Sequence, residues 1–249
     1  MKWPETEEYM KERLILITND DGIQANGLER LVKTASAYGQ VWVIAPDGQR
    51  SAASHCVTLH GSVDIFPYDY PIKGVRAFTC SGTPADCARI GILHLMPVRP
   101  DILLSGINFG YNIASDIQYS GTVGAAFEAE HHGVPAIAFS EGNGKDHRLT
   151  DQKLPEILHM LIDRKLPAGQ VFNVNFPQCS PEECKGILEN RTVSRDAIFR
   201  DRYMEDEQLP NGGIRLHLNG IFNEESEAGT DFRAIIDRYI SISVIQNIH

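Results

Sequence analysis

Continuous apolar runs, each stopping at a polar cluster, set the strongest limit on the architecture. Leu14 to Thr18 is the clearest, and Val41 to Ala45, Asp101 to Leu104, Ala136 to Phe139 and Val171 to Asn175 read as further, mostly apolar strands. A half-exposed strand alternates apolar and polar residues, whereas a strand covered on both faces stays apolar at successive positions. Helical patterns lie between the runs. Leu28, Leu31, Val32 and Ala35 follow i, i+3, i+4, i+7 spacing. Thr83, Pro84 and Asp86 read as N-cap, first-turn proline and capping acid of a helix reaching about Leu95. Gly121 to His132 reads as a small-residue helix, and 151–164 as another. Strand and helix in alternation predict an α/β fold, a mostly parallel sheet with helices on both faces.

With 249 residues the chain is long enough to bury a large core without disulfides. Residues 1–12 read as a leader outside the core. Residues 1–180 read as the catalytic core, and 181–249 as an irregular β extension or protruding hairpin followed by a closing strand. In that extension the β-like pieces Ile187–Val193, Ile214–Leu218 and Tyr239–Ile245 are separated by polar stretches such as Met204–Gln208 and Asn223–Glu227. Residues 57–79 hold shorter β-like pieces, and 105–116 reads as a Gly- and Asn-rich loop.

The formal net charge of −10 argues against wrapping duplex nucleic acid, which needs a basic footprint. No apolar run approaches the ~18–20 residues that span a bilayer. The charged start MKWPETEEYMKER lacks the apolar region of a secretory signal. Cys56, Cys80, Cys87, Cys179 and Cys184 form no CxxC pair and have no zinc-site partners. A cytoplasmic protein with reduced thiols is expected.

In open α/β sheets ligands bind beyond the carboxyl ends of the strands, so the polar clusters that end the runs are the candidate site. In Asn19-Asp20-Asp21-Gly22, adjacent carboxylates at a buried strand end repel and resist desolvation, which a divalent cation would relieve. An ordinary role is equally open there, with one acid capping the next helix and the other solvated. In Arg50-Ser51-Ala52-Ala53-Ser54-His55, Ser51 offers a hydroxyl and Arg50 or His55 could meet an anion, although a plain polar loop is the simpler reading. Gly82 and Thr83 sit where a helix N-terminus points at the site, with capping as their minimum role. Asn108, then Ser120, Gly121 and Thr122, combine an amide ligand with a helix start able to cradle phosphate. Asp20, Asp21, Ser51 and Asn108 supply only oxygen, which suits Mg²⁺ or Mn²⁺ rather than Zn²⁺. His131 and His132 fall at a helix end, where a structural role fits the dipole.

Taken in order, Ile17-Thr18-Asn19-Asp20-Asp21-Gly22-Ile23, Ala45-Pro46-Asp47 with Arg50-Ser51-Ala52, Ser81-Gly82-Thr83-Pro84-Ala85-Asp86-Cys87, and Ser105-Gly106-Ile107-Asn108 with Gly110, Asn112, Asp116 and Tyr119-Ser120-Gly121-Thr122-Val123 resemble the SurE family of metal-dependent 5′/3′-nucleotidases. The resemblance is strong over 14–175 and weaker afterwards, where Asn173 to Pro177, Asp231-Phe232 and Tyr239 to Ile242 carry it. It implies a Rossmann-like three-layer α/β/α core with a C-terminal β extension used in dimer or tetramer formation. It implies one divalent cation per subunit, Mg²⁺ or Mn²⁺, on Asp20, Asp21, Ser51 and Asn108. Asp20, Asp21 and Asn108 are the expected catalytic residues. Asn19, Gly82, Thr83, Ser120, Gly121 and Thr122 are the expected contacts of substrate and phosphate, the substrate being a nucleoside monophosphate. The closing strand departs from the family's usual Ser-Ile-Thr-Pro-Leu, reading Ser241 to Ile245 as Ser-Ile-Ser-Val-Ile. Phe109 and Tyr111 flank Gly110 where some members carry a basic residue. These departures bear on substrate preference and assembly.

Competing readings are a ribosyl hydrolase, which also clusters Asp around a cation, and a nucleotide- or metal-binding module without turnover. A dinucleotide dehydrogenase is disfavoured, because Asn-Asp-Asp-Gly rather than GxGxxG follows the first strand. A covalent aspartyl-phosphate is disfavoured by the absence of a DxDxT motif.

Overall fold

Leu14–Thr18 is buried at every position, as a strand between two helical layers must be. The computed structural model describes residues 13–247, so the expected leader at 1–12 lies outside the described residues. In chain order the elements are β1 (Leu14–Thr18), α1 (Asn26–Ala35), β2 (Gln40–Pro46), β3 (Ile65–Tyr68), β4 (Arg76–Cys80), α2 (Pro84–Ile90), β5 (Ile102–Phe109), α3 (Gly121–His131), β6 (Ala136–Glu141), α4 (Arg148–Leu161), β7 (Gln170–Phe176), β8 (Ile187–Arg191), β9 (Phe199–Gln208), β10 (Ile214–Phe222), α5 (Asp231–Ile236) and β11 (Ile240–Gln246).

A nine-stranded sheet runs β3-β4-β2-β1-β5-β6-β7-β11-β8. The span from β4 to β7 is parallel throughout. Edge strand β3 is antiparallel to β4, and β11 is antiparallel to β7. This is the mostly parallel α/β architecture that the apolar runs predict. After β1 the chain builds outward through β2 and β4, then returns to add β5 on the other side of β1. The β1–β5 boundary is therefore the switch point, where a crevice opens beyond the strand ends.

Each face has its own core. Ile15, Ile17, Leu104, Phe139 and Val174 pack with Leu28, Leu31 and Val32 of α1 and with Leu154, Ile157 and Leu161 of α4. On the other face Leu16, Trp42, Ile44 and Leu103 meet Cys87 and Ala88 of α2 and Val123, Ala125, Ala126 and Ala129 of α3. A fully buried Leu or Ile contributes about 1.5–3 kcal/mol, so this double layer dominates stability. The α2 helix starts as its sequence predicts: Thr83 Oγ1 accepts from Asp86 N, and the Asp86 carboxylate accepts from Thr83 N. It continues as a wider turn over Gly91–Leu95, matching the expected end.

Two expectations change. The supposed loop from 105 is strand as far as Phe109, with Asn108 opposite Ser140 and Phe109 opposite Glu141. Glycine and asparagine there read as loop signals, but pairing with β6 overrides local preference. Gly106 is needed at φ +130°, and a Cβ there would lie 2.2 Å from the Phe139 carbonyl oxygen. Met204–Gln208, read as a polar spacer, is the end of β9 and pairs with β10 in a two-stranded antiparallel ribbon. Its side chains are exposed on both faces, so the alternation that signals a strand is missing. Beyond residue 180, β8 and β11 join the main sheet, and the β9–β10 ribbon stands apart from it.

Candidate active site

The carboxylates follow β1 directly. Asp20 is buried, and its Oδ1 accepts a 2.6 Å hydrogen bond from Thr122 Oγ1 in the first turn of α3. Burial drives its pKa up to about 6, with the Asp21 charge adding to the rise and the Thr122 hydrogen bond opposing it. Asp21 is less enclosed, and its pKa is also raised by burial. Its Oδ2 accepts from Phe109 N at 3.1 Å, which ties it to the end of β5 beside Asn108. Two acids at one strand end thus carry an uncompensated desolvation cost.

Asn108 Nδ2 donates to the Gly110 carbonyl at 2.8 Å, leaving the amide oxygen as the uncommitted end. Ser51 arrives on the loop after β2. Arg50 N donates to the Asp20 carbonyl at 2.7 Å, and Gln49 Nε2 donates to Ser51 Oγ at 3.0 Å. The Gln49 side chain lies near Asp21 as well and opposes the rise in its pKa. Gln49 is a site residue that the sequence did not single out, since a glutamine in a polar loop carries no signal. Asn19 is fully buried behind the acids. Its Nδ2 holds the Gly22 carbonyl at 3.0 Å, and no donor among the described residues reaches its buried Oδ1.

The helix start faces the same crevice. Ser120 caps α3 by accepting from Val123 N at 3.0 Å, and Gly124 N donates to the Ser120 carbonyl. By helix geometry the Gly121 and Thr122 N–H groups have no intrahelical acceptor, and they carry the positive end of the dipole. A Cβ on Gly121 would stand 3.0 Å from Asp20 Cβ and 3.1 Å from Pro84 Cγ, so a side chain there would press the helix end and Asp20 apart by a few tenths of an ångström. Gly82 sits against Asp86, with an added Cβ 2.6 Å from Asp86 Oδ2. The Thr83 hydroxyl accepts from Asp86 N at 3.1 Å and donates to the Cys56 carbonyl at 2.5 Å, so it is committed inside the chain.

The two side chains considered for an anion, Arg50 and His55, both have acidic partners. Arg50 Nη2 bonds Asp47 Oδ1 at 2.7 Å, and His55 Nε2 lies 2.7 Å from Glu128 Oε2. Among the described residues no group of three or more His, Cys, Asp or Glu is placed to hold a metal. The residues that could hold one are the mixed set of carboxylates, hydroxyl and amide.

The fold and this crevice define a class: a Rossmann-like α/β protein with paired acids against a helix N-terminus at the switch point of its sheet. The comparisons with known proteins are specific within that class. The family model described as survival protein SurE matches residues 15–197. The 5′-nucleotidase SurE of Clostridium botulinum (strain Loch Maree / Type A3) is 37% identical over 92% of this chain and 91% of its own length. The 5′/3′-nucleotidase SurE of Cronobacter sakazakii is 39% identical over 92% of this chain and 88% of its own length. The crystal structure of the SurE protein from Aquifex aeolicus superposes with a TM-score of 0.78 at 30% identity, covering 94% of this chain and 93% of that one. The chain belongs to the SurE family.

Proposed function

We propose that this chain is a divalent-cation-dependent phosphomonoesterase that hydrolyses nucleoside 5′- and 3′-monophosphates to nucleoside and inorganic phosphate. The observation that carries the reading is Asp20, a buried acid beside a second acid, held by the Thr122 hydroxyl at the start of α3. Acids so placed suit a cation, and helix N–H groups suit an anion. The names of the related SurE nucleotidases support the same substrate class.

The donor set fits a hard dication. Two carboxylates whose pKa values are raised by burial lack a compensating cation among the described residues, and the Asn108 amide leaves its oxygen free. Asp20, Asp21, Ser51 and Asn108 would hold one Mg²⁺ or Mn²⁺ per subunit. When bound, the ion supplies charge neutralisation at the phosphoryl group and a lowered pKa for water.

The protein's own groups do the rest. Gly121 and Thr122 N–H donate to the phosphoryl oxygens as charge shifts in the transition state. Ser120 fixes the helix start so that these donors need not reorganise. Thr122 Oγ1 orients the Asp20 carboxylate, leaving Oδ2 as its second acceptor. Asp20 or Asp21 takes the proton of the attacking water or orients that water. Asn19 and Gly82 shape the strand and helix ends around the substrate, with Thr83 holding α2 in place.

The β9–β10 ribbon supports a homodimer or homotetramer. Tyr203 lies opposite Leu218, and Phe199 opposite Phe222, on one face of a ribbon unattached to the main sheet. These side chains are exposed, and a two-stranded ribbon gains little stability alone. A second copy of the chain is the proposed cover.

The deciding experiment is a metal-by-substrate matrix. Nucleoside 5′- and 3′-monophosphates and an aryl phosphate are incubated with Mg²⁺, Mn²⁺, Ca²⁺ or a chelator, and free phosphate and free base are both measured. Phosphate released only with a divalent ion is expected. Base released without phosphate identifies a ribosyl hydrolase, and tight nucleotide binding without any product identifies a binding module.

A further inference from the structure

Glu128 lies on α3 outside the strand-end cluster and is 3% exposed. A buried carboxylate is costly unless it is paired. Glu128 has His55 Nε2 at 2.7 Å, His132 Nε2 at 3.0 Å and Arg89 Nη1 at 3.4 Å. Its partners come from different elements. His132 follows the same helix, Arg89 belongs to α2, and His55 belongs to the loop after β2.

That loop also carries Ser51. It has no regular secondary structure, and Ala52 and Ser54 sit at φ +57° and +54°. Such a segment keeps one shape only where it is fastened. One fastening precedes Ser51, from Arg50 N to the Asp20 carbonyl. The others follow it. Ser54 N donates to the Tyr119 carbonyl at 3.0 Å, Ser54 Oγ to the Gln118 carbonyl at 2.6 Å, and His55 meets Glu128. The loop lies directly on α3, since a Cβ on Gly124 would sit 2.3 Å from the Ser54 carbonyl oxygen. Ser51 itself is exposed and accepts a hydrogen bond from Gln49 Nε2.

We propose that His55 and Glu128 are positioning residues for Ser51. Their pair fixes the loop on α3 and so sets cation affinity without touching the cation or the substrate. The proposal rests on the reading of the strand-end cluster as a metal site. A hydroxyl ligand on a loose loop must be ordered when the ion binds, and the ordering cost weakens affinity. His132 and Arg89 keep the carboxylate itself in place.

The test uses the full chain. Mn²⁺ binding is titrated calorimetrically for wild type, His55→Phe, His55→Gln and Glu128→Gln. The thermal midpoint without metal and phosphatase activity at saturating Mn²⁺ are measured alongside. His55→Phe keeps a ring beside Phe127 but loses the polar contact. It is expected to weaken Mn²⁺ binding on the order of ten-fold, as loss of a partner behind a metal ligand does. The Mn²⁺ concentration giving half-maximal activity rises equally, while kcat at saturating metal stays near wild type. His55→Gln, whose amide reaches the same carboxylate, recovers most of the loss. Should His55→Phe not fold, Glu128→Gln is expected to weaken Mn²⁺ binding in the same direction. Wild-type Mn²⁺ affinity in a folded His55→Phe or Glu128→Gln overturns the proposal, as does a shift in melting alone. A wild-type chain that takes up no Mn²⁺ removes the metal-site reading instead.

Discussion

Asp20 concentrates the conflict on which the site depends. Burial raises its pKa from 3.8 to about 6, so the folded chain holds this proton more tightly than the unfolded chain. The stability that the protonated form contributes is full below pH 3.8 and is lost as pH rises through about 6. The loss amounts to about 3 kcal/mol at neutral pH without metal. Asp20→Asn keeps an oxygen for the Thr122 hydroxyl and removes the charge. In chelator at pH 7.5 its melting midpoint should exceed that of wild type, and the gap should close towards pH 4. Adding Mn²⁺ should reverse the order, stabilising wild type and not the variant. A wild type that is the more stable of the two in chelator at pH 7.5 would contradict the assignment. Gly121→Ala probes the same contact from the helix side. Its methyl would crowd Asp20 Cβ at 3.0 Å, so phosphatase activity should fall by about ten-fold or more in steady-state assays. The Asp pair was legible in the sequence because it ends an apolar run. The Thr122–Asp20 hydrogen bond was not, since it joins residues 102 positions apart.

At the scale of elements, the site is a meeting of strand ends with helix starts. The α2 start shows what local sequence can determine. Thr83, Pro84 and Asp86 form the predicted cap, and Asp86 also receives Thr58 N at 2.9 Å and Thr58 Oγ1 at 2.7 Å. The cap therefore fastens a distant loop as well as a helix. Thr83→Ala should lower stability by about 1 kcal/mol in urea unfolding, and Thr83→Ser should restore it. Elements whose signals are local, such as the caps and the buried runs, were legible. The extension of β5 to Phe109 and the β9 strand were not. The first depends on pairing with β6, and the second has no buried face to impose alternation.

For the whole molecule, the β9–β10 ribbon is the surface proposed to carry a homodimer or homotetramer. Its exposed Tyr203, Leu216 and Leu218 have no cover in one chain. Exposed apolar surface of this kind marks association sites. Tyr203→Lys with Leu218→Lys should reduce the mass seen by light scattering after size exclusion, down to that of one chain for a dimer. The Asp20 site lies on the main sheet, so Mn²⁺ affinity should hold in that variant. An unchanged mass would show that another surface carries the assembly. Among the described residues no helix is long and apolar enough to cross a membrane.

The sequence by itself determined the buried parallel strands, the helix caps, the family and the residue types gathered at the strand ends. Each of these depends on neighbours within a few positions, or on motifs whose order survives unfolding. Tertiary structure alone decided that Phe109 N reaches Asp21, that Thr122 braces Asp20, and that Glu128 reaches His55 across a loop. Such contacts depend on a few ångströms of spacing between segments far apart in the chain. That spacing is set by how small the side chains between sheet and helix are, as at Gly121 and Gly124, and no local pattern of residues encodes it.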